Sequence, residues 1–200
     1  MEVKSTHRGV VIPYEILKKN SGLLFGGEAP NLRKPGKYSF AWSGQFVGDN
    51  TFENYLTSFD AKTVPEIFEK FSSERFNAYK GAGQNALFAD TQGNIGYHLL
   101  MSYPERKDKT PYVATRILDG TTSKFDWTGE IVPLRDLPKS LNPAKGYIVS
   151  ANGRQTSDHA MNDLGATVNC PARTLRIDEM LREGIAVGKK FTLEDMAAIQ

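Results

Sequence analysis

Cysteine is almost absent from this chain. Cys170 is its only one, which excludes an internal disulfide and any cysteine-rich zinc site. An excess of charge of one sign is lacking too, since 25 Lys and Arg stand against 23 Asp and Glu. With no Lys/Arg run and no basic stripe interleaved with aromatics, nucleic acid is not supported as a partner. The apolar runs fall far short of a membrane span, so a transmembrane helix is excluded. Met1-Glu2-Val3-Lys4-Ser5 lacks the charged-then-apolar layout of a signal peptide. The compartment stays open, because a truncated chain would also have lost its targeting segment.

Familiar catalytic signatures are missing as well. There is no Gly-x-Ser-x-Gly, Walker loop, His-Glu-x-x-His or dinucleotide fingerprint. His7, His98 and His159 are scattered without metal-ligand spacing, and each reads as a surface or internally satisfied polar residue. Cys170, even set beside His159, reads as a buried and unreactive thiol.

What is there suits one core of mixed class: 200 residues, of which 40% are hydrophobic. Val10-Val11-Ile12 before Pro13 predicts a short strand, and Tyr38 to Trp42 another, with a Gly-, Pro- and Asn-rich loop between them. From Phe52 to Phe76 the apolar spacing changes to three and four, which is helical, with Thr63 a candidate N-cap before Pro65. Ala86 to Ala89 and Ile95 to Leu99 predict a hairpin around the turn chemistry of Asp90 to Asn94. Tyr103 to Pro143 is broken by Pro, Gly and Asp and predicts a long ordered loop with short strands.

Tyr147 to Ser150 predicts a further strand, and Ala172 to Glu183 a helix that Gly184 would stop. Thr192-Leu193-Glu194-Asp195 reads as a capping box opening a last helix. Both ends read as cut from a larger chain, so residues 1–200 are expected to be a single incomplete domain. Within this frame Asn152-Gly153 has two readings. It is a hairpin turn, as the dipeptide usually signals. Alternatively, Asn152 is an amide donor held at a strand end and aimed at the oxyanion of a tetrahedral intermediate.

A series of short matches bears on that choice. Asn85, Phe88, Ala89-Asp90 and Gly93-Asn94-Ile95-Gly96-Tyr97 are followed by Pro104 and Arg106. Asp119-Gly120, Asp126-Trp127-Thr128-Gly129, Leu137-Pro138, Asn142-Pro143 and Gly146-Tyr147-Ile148 come next. Arg173, Arg176 and Ile177, then Thr192 with Glu194-Asp195-Met196, complete the order. In this order and spacing, the segment from Asn85 to Gln200 resembles the penicillin acylase family, amidases of the N-terminal-nucleophile hydrolase superfamily. Upstream, Thr6-His7-Arg8-Gly9-Val10-Val11 is only similar, with Arg8 where the family has His and Val10 where it has Pro. Further departures are Gly153 in place of a common second Asn, and His159-Ala160 in place of Tyr-Pro.

The resemblance implies an α+β fold, here part of a four-layer αββα sandwich. It matches Asn152 to the side-chain oxyanion donor and Arg173 to an arginine that orients it. Asp163 is matched to a calcium carboxylate ligand and Pro111 to a backbone-carbonyl ligand, so a structural calcium is implied. The implied reaction is hydrolysis of a linear amide in a small acylated molecule, of the β-lactam or acyl-homoserine-lactone type. It would run through an acyl-enzyme on an N-terminal Ser whose own α-amino group is the base. No Ser in these residues has the matching context, so the nucleophile and the remaining acylase segments are expected on other sequence. Two readings from other classes stand against this: a non-catalytic remnant or interaction module, and an unrelated α+β binding domain.

Overall fold

The computed structural model describes residues 3–20, 35–45, 48–77, 79–81, 83–110, 113, 116–151, 153 and 172–199. Within them the chain is α+β, with antiparallel pairing throughout. A first sheet joins β1 (Ser5–Thr6), β2 (Gly9–Pro13) and β3 (Lys37–Phe40), in register Thr6↔Gly9 and Val10↔Phe40. Gly9 turns the β1–β2 corner at φ 116°, a conformation that side chains beyond hydrogen resist. Pro13 has no N–H to continue a ladder, and α1 (Tyr14–Lys19) begins directly after it. The expected strands at Val10 to Ile12 and Tyr38 are therefore both present and paired with each other.

The expected helical stretch from Phe52 resolves into α2 (Thr51–Ser58), α3 (Val64–Ser72) and a single turn, α4 (Glu74–Asn77). Thr63 caps α3 as predicted, its hydroxyl accepting from the Glu66 N–H at 3.4 Å, and Pro65 sits in the first turn. Glu66 reaches back to the Lys62 N–H at 2.7 Å, a variant of the capping box. Phe71 of α3 packs with Phe76, Tyr79, Leu100, Leu134 and Leu137 in the main core cluster. Burying each such large apolar side chain stabilises the fold by about 1.5–3 kcal/mol.

Beneath α3 lies the second sheet, in the order β4 (Gln84–Ala89), β5 (Ile95–Leu100), β8 (Lys139–Leu141). The predicted hairpin forms with Ala89↔Ile95 at its closed end and Gly93 at φ 88° in the turn. The Asp90 carboxylate holds this turn together. It accepts from the N–H of Gln92 and of Asn94, each at 2.9 Å, and from Asn94 Nδ2 at 2.8 Å. It also accepts from the Val64 N–H at 2.9 Å, so one side chain closes the hairpin and caps α3. Gly96 permits the contact beneath, since a Cβ there would lie 2.6 Å from Val64 Cγ1 and 2.7 Å from Phe68 Cε2.

Asn142, at φ 46°, extends β8 by side chain as well as backbone. Its Oδ1 accepts from the Ile95 N–H at 2.9 Å and its Nδ2 donates to Asn94 Oδ1 at 2.8 Å. The long middle segment, expected as loop with short strands, contributes β8 and a ribbon of β6 (Tyr103–Arg106) with β7 (Trp127–Val132). The last helices are α5 (Ala172–Ala186) and α6 (Leu193–Ile199).

Two expectations need correction. Gly184 does not stop α5. It lies inside the helix because Phe191 packs on it, a Cβ there falling 2.4 Å from Phe191 Cζ. The stop is Gly188 at φ 75°, where Lys189 N–H donates to Gly184 O and Gly188 N–H to Ile185 O, each at 2.9 Å. Residues 147–150 form no strand among the described residues and are held by side chains instead. The capping box at Thr192 is present, with Asp195 as its acid: Thr192 N–H donates to Asp195 Oδ2 at 2.9 Å and Asp195 N–H to Thr192 Oγ1 at 3.2 Å.

His98 is buried, at 1% exposure, between Phe68 and Phe71. Its Nδ1–H donates to Leu99 O at 2.9 Å, while Nε2 has no hydrogen-bond partner, so it is only half satisfied. Burial holds its pKa below the usual imidazole value. The unfolded chain then takes up a proton that the folded chain refuses, and stability falls as pH drops through about 6.5. His98→Leu should flatten the rise of the urea midpoint between about pH 5 and 7. An unchanged slope would show that His98 titrates normally. The Val64 N–H, first among several donors, holds the Asp90 carboxyl at about 2. Its stabilisation is complete above the unfolded value of 3.8 and is lost toward pH 2. Asp90→Asn should therefore lower the urea midpoint at neutral pH and have little effect near pH 2.

Candidate active site

The residues around Asn152 are positioned by α5. Tyr147 Oη donates to Asp178 Oδ1 of α5 at 2.9 Å, and Lys145 Nζ reaches the same oxygen at 3.2 Å. Lys145 Nζ also lies over the Tyr147 ring, 4.3 Å from its centroid. The Tyr147 hydroxyl, followed by the Lys145 ammonium, keeps the Asp178 carboxyl below its ordinary value. Ile148 adds an apolar anchor against Tyr97 and Leu99 of the second sheet. An extended run without a backbone ladder is thus pinned at both its polar and apolar sides.

At the far end of the run the first turn of α5 closes in. Thr174 Oγ1 donates to Ala151 O at 3.1 Å. Gly153 is buried, and a Cβ built there would lie 2.7 Å from Thr174 Oγ1 and 2.9 Å from Thr174 Cγ2. Thr174 therefore grips the residue before Asn152 and crowds the residue after it. The glycine at 153, a departure from the family pattern at the sequence level, is what this close approach requires. The hairpin-turn reading finds no strand pair to connect, since 147–150 is unpaired among the described residues.

Of the predicted site residues, Asn152, Asp163 and Pro111 lie outside the described residues, as do Cys170 and His159. Arg173 is described: it stands on the exposed side of the first turn of α5, next to Thr174. The fold thus brings the neighbours of Asn152 and the turn bearing Arg173 together. Among the described residues no three His, Cys, Asp or Glu side chains converge in a way that could hold a metal. Nor is any described helix long and apolar enough to cross a membrane.

Sequence reasoning missed the supports. Thr174 and Asp178 gave no signal, because a helical Thr and Asp are ordinary surface residues until their partners are known. Arg8 was legible only as a departure. Its guanidinium donates from Nε to Asp126 Oδ1 at 2.5 Å, from Nη1 to Gly120 O at 2.5 Å and from Nη2 to Thr122 O at 2.6 Å. This fork fastens the first sheet to the segment before β7. Beside it opens a cavity of about 660 Å³ between β2–β3 and β6–β7, walled by Tyr38, Phe40, Phe125, Trp127 and Ile131. Volume and chemistry point to different places, because neither Arg173 nor the 147–153 run lines that cavity.

Gly153→Ala should destabilise the chain by about 1–3 kcal/mol, as overpacking does. Thr174→Ala removes both close atoms. The double variant should recover part of the loss, with a coupling above about 0.5 kcal/mol in thermal or urea unfolding. Strict additivity would show that the two residues do not touch.

Comparison with known proteins agrees with the sequence resemblance. The family model described as penicillin amidase matches residues 1–200. Penicillin G acylase from Escherichia coli is 35% identical over 100 residues, covering 50% of this chain and 11% of that protein. Penicillin acylase 2 proenzyme from Pseudomonas sp. (strain SE83) is 28% identical over 130 residues, covering 64% of this chain and 16% of that protein. Among solved structures, thermostable penicillin G acylase from Alcaligenes faecalis superposes with a TM-score of 0.61. That match has 19% identity and covers 100% of this chain and 30% of the other, so it bears on the fold. The chain spans only a small part of the length of these relatives. It belongs to the penicillin amidase family.

Proposed function

We propose that these residues carry the side-chain oxyanion donor of an enzyme that hydrolyses linear amides. The observation that supports this most directly is the grip of Thr174 on Ala151 O, which sets the flanks of Asn152 against the turn bearing Arg173. In the proposed reaction a Ser hydroxyl, supplied by sequence other than these residues, attacks the amide carbonyl. The α-amino group of that Ser takes its proton, so no histidine is needed. Negative charge develops on the carbonyl oxygen, and the Asn152 amide N–H donates to it. Arg173 orients that amide. The amine then leaves, and water hydrolyses the acyl-enzyme ester.

The relatives are named for penicillin, and the proposed substrate class follows: a small acylated amide of the β-lactam or acyl-homoserine-lactone type. Its partners in catalysis are the remaining acylase segments. Calcium is proposed only as a structural ion, with the Asp163 carboxylate and the Pro111 carbonyl giving two of its roughly six to eight oxygens. No step is routed through it.

The test is the native protein assayed for release of phenylacetate and of fatty acid from model amides. Asn152→Ala should lower kcat by about 10²–10³ with little change in KM. Adding Arg173→Ala should cost less than the product of the single effects, because both act on one oxyanion. Turnover that survives Asn152→Ala would end this reading. No turnover by the native protein would favour the non-catalytic module.

A further inference from the structure

Helix α2 sends Tyr55 to the core but turns a second set of apolar residues outward. Its buried face carries Asn54 and Ser58, each at 6% exposure, while Phe52 at 74%, Leu56 at 52% and Phe59 at 73% point to solvent. The three apolar residues recur at i, i+4 and i+7 and share one stripe, and Asn54 and Ser58 share the opposite one. The buried polar groups are satisfied locally. Asn54 Nδ2 donates to Asn50 O at 2.9 Å and Asn50 Oδ1 at 2.7 Å, and Ser58 Oγ to Tyr55 O at 2.8 Å. The orientation is fixed, because Asn50 N–H donates to Lys80 O at 2.8 Å and Lys80 N–H to Asn50 Oδ1 at 2.7 Å. A helix so anchored cannot roll its apolar stripe into the core.

We infer that this stripe is the seat of a further apolar segment of the same acylase, lying on sequence outside these residues. The inference rests on the proposed function and names the surface through which the remaining acylase segments engage. Three observations favour that occupant. This chain covers 11%, 16% and 30% of the relatives compared, so most of such a protein lies elsewhere. Glu53 and Asp60 beside the stripe are ion-paired with Arg75 at 3.9 Å and Lys70 at 2.5 Å, so the stripe lacks the basic surround that an anionic lipid surface would recognise. Two phenylalanines and one leucine offer on the order of 400 Å². That is about half of the ~800 Å² per partner of a standard specific interface, too little for a second copy alone.

Hydroxyl-radical footprinting of the native protein, folded against urea-unfolded and with its intact mass measured, tests this. Phe52 and Phe59 should oxidise at least about tenfold more slowly in a longer native protein, as residues in a desolvated contact do. Phe52→Ser with Phe59→Ser should lower the melting temperature of the native protein. A longer native protein in which both rings stay reactive overturns the inference and leaves the proposed function standing. A native protein that contains only 22.2 kDa chains, by mass under non-dissociating conditions, overturns both, since no further segment then exists. Protection that depends on protein concentration would assign the stripe to a second copy and overturn the inference.

Discussion

One carboxylate sets the relative placement of helix and sheet. Asp90 accepts four N–H groups, three from its own turn and one from the start of α3. Without it the turn would lose three hydrogen bonds and the first residue of α3 its tie to the hairpin. The seat is narrow, because Val64 and Phe68 both press on the bare backbone of Gly96. Asn94 then passes the constraint to Asn142, and through it to the end of β8. Residues that are separate matches in the family pattern (Asp90, Gly93, Asn94, Gly96 and Asn142) are one hydrogen-bonded and close-packed unit in space. Tyr97 joins the same unit, its hydroxyl donating to Asn85 Oδ1 at 2.9 Å.

The candidate site is built by a different principle. No ladder holds residues 147–151, and each attachment is a side chain reaching from α5 or the second sheet. Tyr147 to Asp178, Ile148 to Tyr97 and Leu99, and Ala151 to Thr174 act at successive points along the run. Such fastening fixes position through side chains and the Ala151 carbonyl. It also accounts for the glycine at 153, where the neighbouring helix leaves no room for a Cβ.

Much of this architecture was readable beforehand, and the parts that were not share a cause. The β4–β5 hairpin, the Thr63 cap and the Thr192 capping box are local: period, turn chemistry and cap residue sit within a few positions of one another. Gly184 misled because a glycine near a helix end is the usual stop, whereas here its lack of a side chain serves Phe191, two residues ahead of α6. The 147–150 run misled because β-branched and aromatic residues suit an extended backbone whether or not it is paired. The apolar spacing of α2 was visible, but not that its apolar face turns outward; that follows from the Asn50–Lys80 pairing, which no periodicity encodes. The candidate site rests on resemblance, since an asparagine that donates to an oxyanion has the same local sequence as one in a turn.

The Arg8 fork has a consequence in time as well as in space. Its three acceptors lie at Asp126, Gly120 and Thr122, separated from it by 118, 112 and 114 positions. Closing so long a loop is entropically costly, and contacts of this span form late in folding. During synthesis the first sheet emerges early, yet the groups that fasten it leave the ribosome more than a hundred residues later. Until then the sheet lacks the three hydrogen bonds that fasten it in the folded chain.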